Sequence, residues 1–425
     1  MRIGIIGGGL TGLTAAFFLS KKHKVTVFEK ENFLGGMASS YLVNWNGKKY
    51  PITKTYHHIL DGDKTTIEII KKLGLEKKLF RKKLKTGFLY DNKIWGFSTP
   101  TEILKFPIPF SDKIKLVKFI LFDLKKKNWD GLEGINTKKW ITKKAGKINF
   151  EVFFDQLIKN KFHDSPENIA AAWAGTRLTK ETSSFLKKFG WLKGGVIQII
   201  NNFAKSIRKN KGRILTNSEV ISIKNKKLTY IKNNKMKKID FDIIVSTVPP
   251  EIFLKIIDKV PKNLKNTFKK IKYLSCICTT IGLKRELFDQ YWINILDKNL
   301  PFVVLFNHTA LYEDAAPKEK SVCYIVTYLM SNEKLWKKTE NEIKEIYLKA
   351  IKKIIPDFEG QIEWWKVFKI KYAEAIYKMG FINPPINYDN IYFAGIYKIY
   401  PKIRNMSSAM EEGINIANEI ENRLL

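Results

Sequence analysis

Six residues near the start of the chain, Gly7-Gly8-Gly9-Leu10-Thr11-Gly12, have the types and spacing to cradle a phosphate. In a G-x-G-x-x-G turn the first glycine permits the tight bend, the second lets a pyrophosphate reach the backbone, and the third lets a helix pack closely on a strand. Glycine-rich turns are common, so the motif carries weight only between a strand and a helix. Both are expected here. Arg2–Ile6 is a short apolar, β-branched run that reads as a buried parallel strand. Leu13, Ala16, Phe17 and Leu19 recur at helical spacing. The N-terminus of that helix would turn free N–H groups and a positive dipole end toward an anion. A second strand is predicted over 25–28, ending in Glu29, which is placed to accept hydrogen bonds from a ribose diol. An acid there also argues against a 2′-phosphate. The chemistry indicated is the binding of a dinucleotide, NAD or FAD.

Two further stretches bear on that choice. Leu34-Gly35-Gly36-Met37-Ala38-Ser39-Ser40 follows the acid. Near the other end, Asn390-Ile391-Tyr392-Phe393-Ala394-Gly395 reads as a short strand ending in glycine, ahead of a small-residue helix that opens with Ser407-Ser408-Ala409. In these features the chain resembles the flavoprotein group that contains flavin amine oxidases, protoporphyrinogen oxidase, phytoene desaturases and UDP-galactopyranose mutase. The resemblance implies FAD as cofactor and an α/β fold: a Rossmann-type FAD-binding (glutathione reductase-like) domain with an interleaved α+β substrate domain. It implies that Gly35, Gly36, Met37 and Ala38 lie along the pyrophosphate with Gly7, Gly9, Leu10, Thr11 and Gly12, and that Lys30 accompanies Glu29. Val220 would meet the adenine, Thr247 would mark a second contact where the chain leaves the FAD domain, Gly395 would meet the ribityl chain, and Ser408 and Ala409 would point at the flavin. Two positions depart from the group. Met37 stands where a basic residue is common, and Ile396 stands where an acid is common.

The chain has five histidines, and two of them, His57 and His58, are adjacent. Histidine titrates near neutrality and serves as proton donor or acceptor; in the resembling group the equivalent segment passes close to the flavin. Neighbours on an extended chain point to opposite sides, so at most one of the pair is expected to face it. Arg177 ends a small-residue, tryptophan-containing run that resembles the substrate wall of the desaturase and protoporphyrinogen oxidase branch. It would bind a substrate carboxylate or phosphate, or pair with an internal acid. Asn294, His308, Tyr324 and Tyr328 are candidates to line a substrate-side sheet, or its core. Trp364 and Trp365 are candidates to flank the flavin, and Arg404 with Asn405 to lie within its reach.

At 425 residues the chain is long enough for two domains. The FAD-binding domain is expected from 1–85, 190–250 and 360–425, and the substrate domain from 86–189 and 251–359. Cys276, Cys278 and Cys323 suit neither a disulfide framework nor a metal site. No uncharged apolar stretch is long enough to span a bilayer, so a cytoplasmic protein is expected, with peripheral membrane contact as an alternative. The net charge is +35, and only eight of the 76 basic residues are arginine. Lysines spread evenly do not read as a nucleic-acid surface; they fit a lysine-biased composition or attraction to anionic lipid. A helix over 112–127, with Ser111 as N-cap, is apolar on more than one face. It reads as buried between domains, or as a monotopic anchor. The implied function is hydride transfer from a largely apolar small molecule to FAD. The alternative is a non-redox enzyme like UDP-galactopyranose mutase, for which Arg177 and Arg404 would supply the diphosphate-binding pair.

Overall fold

β1 (Arg2–Ile6) lies inside a six-stranded sheet, between β2 (Lys24–Phe28) and the strand Ile243–Ser246. Arg213–Leu215 extends the sheet beyond β2, and Ile391–Phe393 then Asn387–Tyr388 extend it on the other side. Every pair is parallel except the last. The strand order reverses at β1, which opens a crevice beyond the carboxyl ends of the strands. The computed structural model describes residues 1–124, 129, 131–186 and 188–424, apart from the side chains of 180–186.

The β-branched runs follow from burial on both faces. Ile3, Ile5, Val25, Val27 and Val245 are packed beneath α1 (Leu10–Leu19), the helix Ile197–Lys209 and the C-terminal helix Met406–Leu424. Phe28 and Phe393 face the other way, onto Tyr230 and onto Phe253 with Phe268. Packing around α1 is close enough to require glycine. A Cβ at Gly12 would lie 2.0 Å from the Gly7 carbonyl oxygen, and one at Gly413 would lie 2.5 Å from the Thr11 carbonyl oxygen.

A seven-stranded sheet forms the second layer, in the order Ile362–Ile376, Lys272–Leu283, Ser321–Leu329, Val304–Asn307, Trp292–Ile295, Thr86–Tyr90, Lys93–Gly96. Its alternation is that of a two-faced sheet. Ile277, Ile281 and Ile325 pack under the helix Glu340–Ile351, whereas Cys276, Cys278, Tyr324 and Tyr328 join the cluster that contains β1. The three cysteines are thus core residues, their thiols pushed up by burial. A helical insertion from Pro100 to Leu186 ends in the helix Ala171–Leu186.

Several expectations are corrected. Residues 213–224, where Val220 is placed with the cofactor-binding segments, form two strands in different sheets: Arg213–Leu215 stays with β2, while Glu219–Lys224 opens a three-stranded meander. The chain turns between them, with Asn217 at φ 49°. The strand Ile362–Ile376, grouped above with the cofactor-binding segments, pairs with Lys272–Leu283 in the seven-stranded sheet. Ser111 is not an N-cap, because the helix begins at Phe110 with Pro109 before it. That helix, Phe110–Lys118, continues as a π turn Phe119–Asp123 and is buried on one side only: Leu116 and Phe119 are buried, whereas Phe110 is 64% and Phe122 73% exposed. Lys125–Lys127, expected at its end, lie outside the described residues.

Gly413→Val forces a side chain into the Thr11–Ala15 backbone and is expected to cost about 1–3 kcal/mol, lowering Tm. Gly62→Ala, where a Cβ meets nothing within 4 Å, is the control and is expected to leave the thermal melt unchanged.

Candidate active site

A cleft of about 960 Å³ starts at the carboxyl ends of β1 and β2 and continues along the strand Ile362–Ile376 of the second sheet. Its outer end is made mostly of backbone. β1 runs into Gly7 at φ +110°, where a Cβ would come 2.3 Å from the Thr247 hydroxyl. That hydroxyl donates to the Ile6 carbonyl at 2.9 Å, tying the end of β1 to the neighbouring strand. Gly9 precedes α1 and offers no side-chain cap, so the first N–H groups of the helix face the cleft without one. A Cβ at Gly9 would meet nothing within 4 Å. Opposite, the Gly35 N–H donates to the Gly8 carbonyl at 2.8 Å, and Gly36, at φ +55°, places its Cβ direction 3.4 Å from Gly9 Cα. Two glycine turns therefore border a slot at this end of the cleft.

Glu29 closes this end. One carboxylate oxygen accepts from the Gly8 N–H at 2.8 Å and the other from the Glu31 N–H at 3.0 Å. Each oxygen retains a lone pair for a further donor. Lys30 reaches the rim, 3.5 Å from the Glu31 carboxylate.

The inner end is aromatic and charged. Arg177, on the helix Ala171–Leu186, donates to Glu374 at 2.7 Å, and this carboxylate is almost fully buried. Arg404 approaches the other oxygen of Glu374 at 4.0 Å and donates to the Tyr328 hydroxyl at 3.0 Å, which lies 2.7 Å from the Tyr56 hydroxyl. Burial opposes the charge of Arg404, but Tyr328 and Glu374 outweigh it and the net shift is upward, so the guanidinium stays charged. Two arginines thus share one carboxylate. Asp63 braces the same region, accepting from the Leu60 N–H and the Asn405 side chain, each at 2.9 Å. Asn405 in turn caps the C-terminal helix reciprocally with Ser408.

His57 Nδ1 lies 2.9 Å from the Thr55 carbonyl oxygen. A carbonyl only accepts, so Nδ1 carries the proton and Nε2 is left as an acceptor. Burial, with smaller contributions from Arg404 and His58, lowers the His57 pKa to about 4. His58 sits 3.1 Å from the Tyr291 hydroxyl within a cage of Phe189, Trp292 and Phe306. Both rings line the cleft, because residues 54–58 form no strand and the alternation of an extended chain does not apply.

Of the residues that the resemblance assigns to the cofactor, all line the cleft except Gly12 and Ser408. Gly12 is used up in the contact with Gly7, and the Ser408 hydroxyl is committed to the Ile403 and Asn405 carbonyls. Asn294, His308, Tyr324 and Tyr328 are core residues behind the wall. Trp364 and Trp365 do not reach the cleft: the first packs on Gly282 and Trp45, the second near Tyr347. Residues 367–372 of the same strand line it instead. Sequence reasoning missed Glu374 and Tyr56. The signal for Glu374 was a lone acid between Ala373 and Ala375 in an otherwise apolar strand end.

His57 and His308, the latter lowered to about 3 by burial and by His57, stay neutral in the fold at pH values where the unfolded chain protonates. Their contribution to stability is complete above about pH 6.5 and is lost as the pH falls toward 4, with a slope of up to about 1.4 kcal/mol per pH unit for each ring. Urea midpoints across this range should show it, and His57→Asn should flatten the dependence.

Comparison with known proteins places this geometry. A profile for flavin-containing amine oxidoreductases matches residues 10–421. An uncharacterized protein of Methanocaldococcus jannaschii is 26% identical over 260 residues, and the match spans 59% of this chain and 59% of that relative's length. Among solved structures, a candidate protoporphyrinogen oxidase from Exiguobacterium sp. 255-15 superimposes with a TM-score of 0.76 at 14% identity, covering 99% of each chain. Reduced UDP-galactopyranose mutase superimposes with a TM-score of 0.77 at 14% identity, covering 99% of this chain and 96% of its own. These structures share the fold; the profile carries the assignment. The chain belongs to the flavin-containing amine oxidoreductase family, whose cofactor is FAD.

Proposed function

We propose that this protein is an oxidoreductase that takes a hydride from a carbon of a small organic molecule seated at the inner end of the cleft. One observation carries the reading: a single cavity joins the glycine slot and Glu29 to the buried floor of Tyr56, His57, Arg177 and Arg404. The outer end suits the cofactor, since the space beside Gly9 is one that any larger side chain would fill. Backbone N–H groups at Leu10 and Thr11 would hold the pyrophosphate with Gly7, Gly9, Gly35, Gly36, Met37 and Ala38. Glu29, with Lys30 beside it, would hold the ribose. Val220 would contact the adenine, and Thr247, Gly395 and Ala409 would border the flavin. When bound, FAD supplies the two-electron chemistry of the site.

The chain's own groups then shape the substrate. Tyr56, Tyr273, Trp292, Phe368 and Ile370 offer apolar and aromatic wall for the body of the molecule. Arg404, beside Arg177 on Glu374, has a buried Nε without a hydrogen-bond partner and would favour a substrate with an anionic group. His57, neutral with Nε2 as acceptor, would take a proton from the substrate carbon's neighbouring N–H or O–H. The same arginine pair supports a second reading, a non-redox diphosphate sugar rearrangement of the mutase kind.

Anaerobic titration separates the two. Loss of visible flavin colour on adding an anionic, partly apolar amine, porphyrinogen or isoprenoid is expected. Turnover of a nucleotide sugar only after dithionite reduction, with no net redox change, would favour the mutase reading. Gly9→Val is expected to keep the wild-type Tm of the apoprotein, because its Cβ meets no protein atom, while abolishing flavin retention. Arg404→Lys is expected to raise KM for the anionic substrate by roughly tenfold or more while flavin remains bound.

A further inference from the structure

We infer that the outer face of the helical insertion docks on an anionic membrane surface. Among the described residues, thirteen large hydrophobic side chains are exposed, and six of them fall in one stretch: Leu104, Phe110, Ile114, Phe122, Ile135 and Ile148. Phe110, Ile114 and Phe122, with exposed Lys118 completing the four-residue spacing, run along one side of the helix and its π turn. Leu116 and Phe119 occupy the opposite, buried side. The exposed stripe is therefore not a core that failed to close; the inner side already fills the core. Leu104 adjoins it, because Lys113 Nζ donates to the Leu104 carbonyl at 2.5 Å.

Charge selects the occupant. Residues 101–150 contain twelve lysines and five acidic residues. Of those acids, Asp112 is buried against Lys115 and Asp123 is held by Lys144 at 3.0 Å. Lys105, Lys118, Lys143 and Lys147 are exposed beside the apolar stripe. An apolar stripe rimmed by lysine matches acyl chains beneath anionic headgroups. A second copy would bring the same lysines face to face. No helix among the described residues is long and apolar enough to cross a membrane, so the contact is interfacial. The docking element is tied to the helix that carries Arg177 into the cleft: Thr179 Oγ1 on that helix donates to the Leu124 carbonyl at 2.8 Å.

The test is flotation of the flavin-loaded protein with vesicles of phosphatidylglycerol and phosphatidylcholine in equal parts, and with phosphatidylcholine alone. Binding to the mixed vesicles only is expected, and Phe110→Ser/Phe122→Ser should weaken it by about tenfold with flavin content and Tm unchanged. Met236→Ser, exposed on the meander outside the helical insertion, should bind as the wild type does. Equal flotation of the double variant and the wild type would overturn the inference, leaving only general lysine attraction. Failure to float with mixed vesicles, or a dimer that the double variant dissociates, would also overturn it.

Discussion

Everything at the outer end of the cleft depends on how closely α1 approaches its neighbours. Its first turn lies against the end of β1 with only hydrogen on Gly12, and against the C-terminal helix with only hydrogen on Gly413. A methyl group at either place would push the helix away from the crevice. The same closeness keeps the N-terminus of α1 level with the carboxyl ends of the strands, where the first N–H groups have no partner in the helix. Thr247 completes the arrangement by fastening β1 to the strand beside it. A segment from each end of the chain and one from the middle thus converge on one turn.

The inner end is governed by a different constraint, the pairing of buried charge. Arg177 comes from the helical insertion, Glu374 from the edge strand of the second sheet, and Arg404 from the loop before the last helix. A buried carboxylate is tolerable only with its partners in place, so Glu374 ties three parts of the fold to one geometry. Two guanidiniums thus stand beside one carboxylate at the floor of the cleft. His57 responds to the same environment, since burial and the nearby arginine both disfavour its charged form.

The first βαβ unit and the last strand and helix were legible because their signals are local. Glycines with required φ angles, β-branched runs and helical spacing act within a few residues. The errors came where partners are distant. The stretch 213–223 does not by itself say that the turn at Asn217 sends its two halves to different sheets. Trp364 and Trp365 announce burial but not against what, and the pocket side of their strand lies a few residues further on. The helix from Phe110 is apolar over more than one face, which periodicity alone cannot divide into a buried side and an exposed one.

By itself the sequence pointed to a dinucleotide, and to the turn and the acid expected to meet it, since each of those features is written in adjacent residues. It also determined the excess of lysine. Only the tertiary structure decided which polar groups share the inner end. Arg177, Glu374 and Arg404 are far apart in the chain, and their meeting follows from the packing of an insertion, a sheet edge and a terminal helix. No spacing rule connects them.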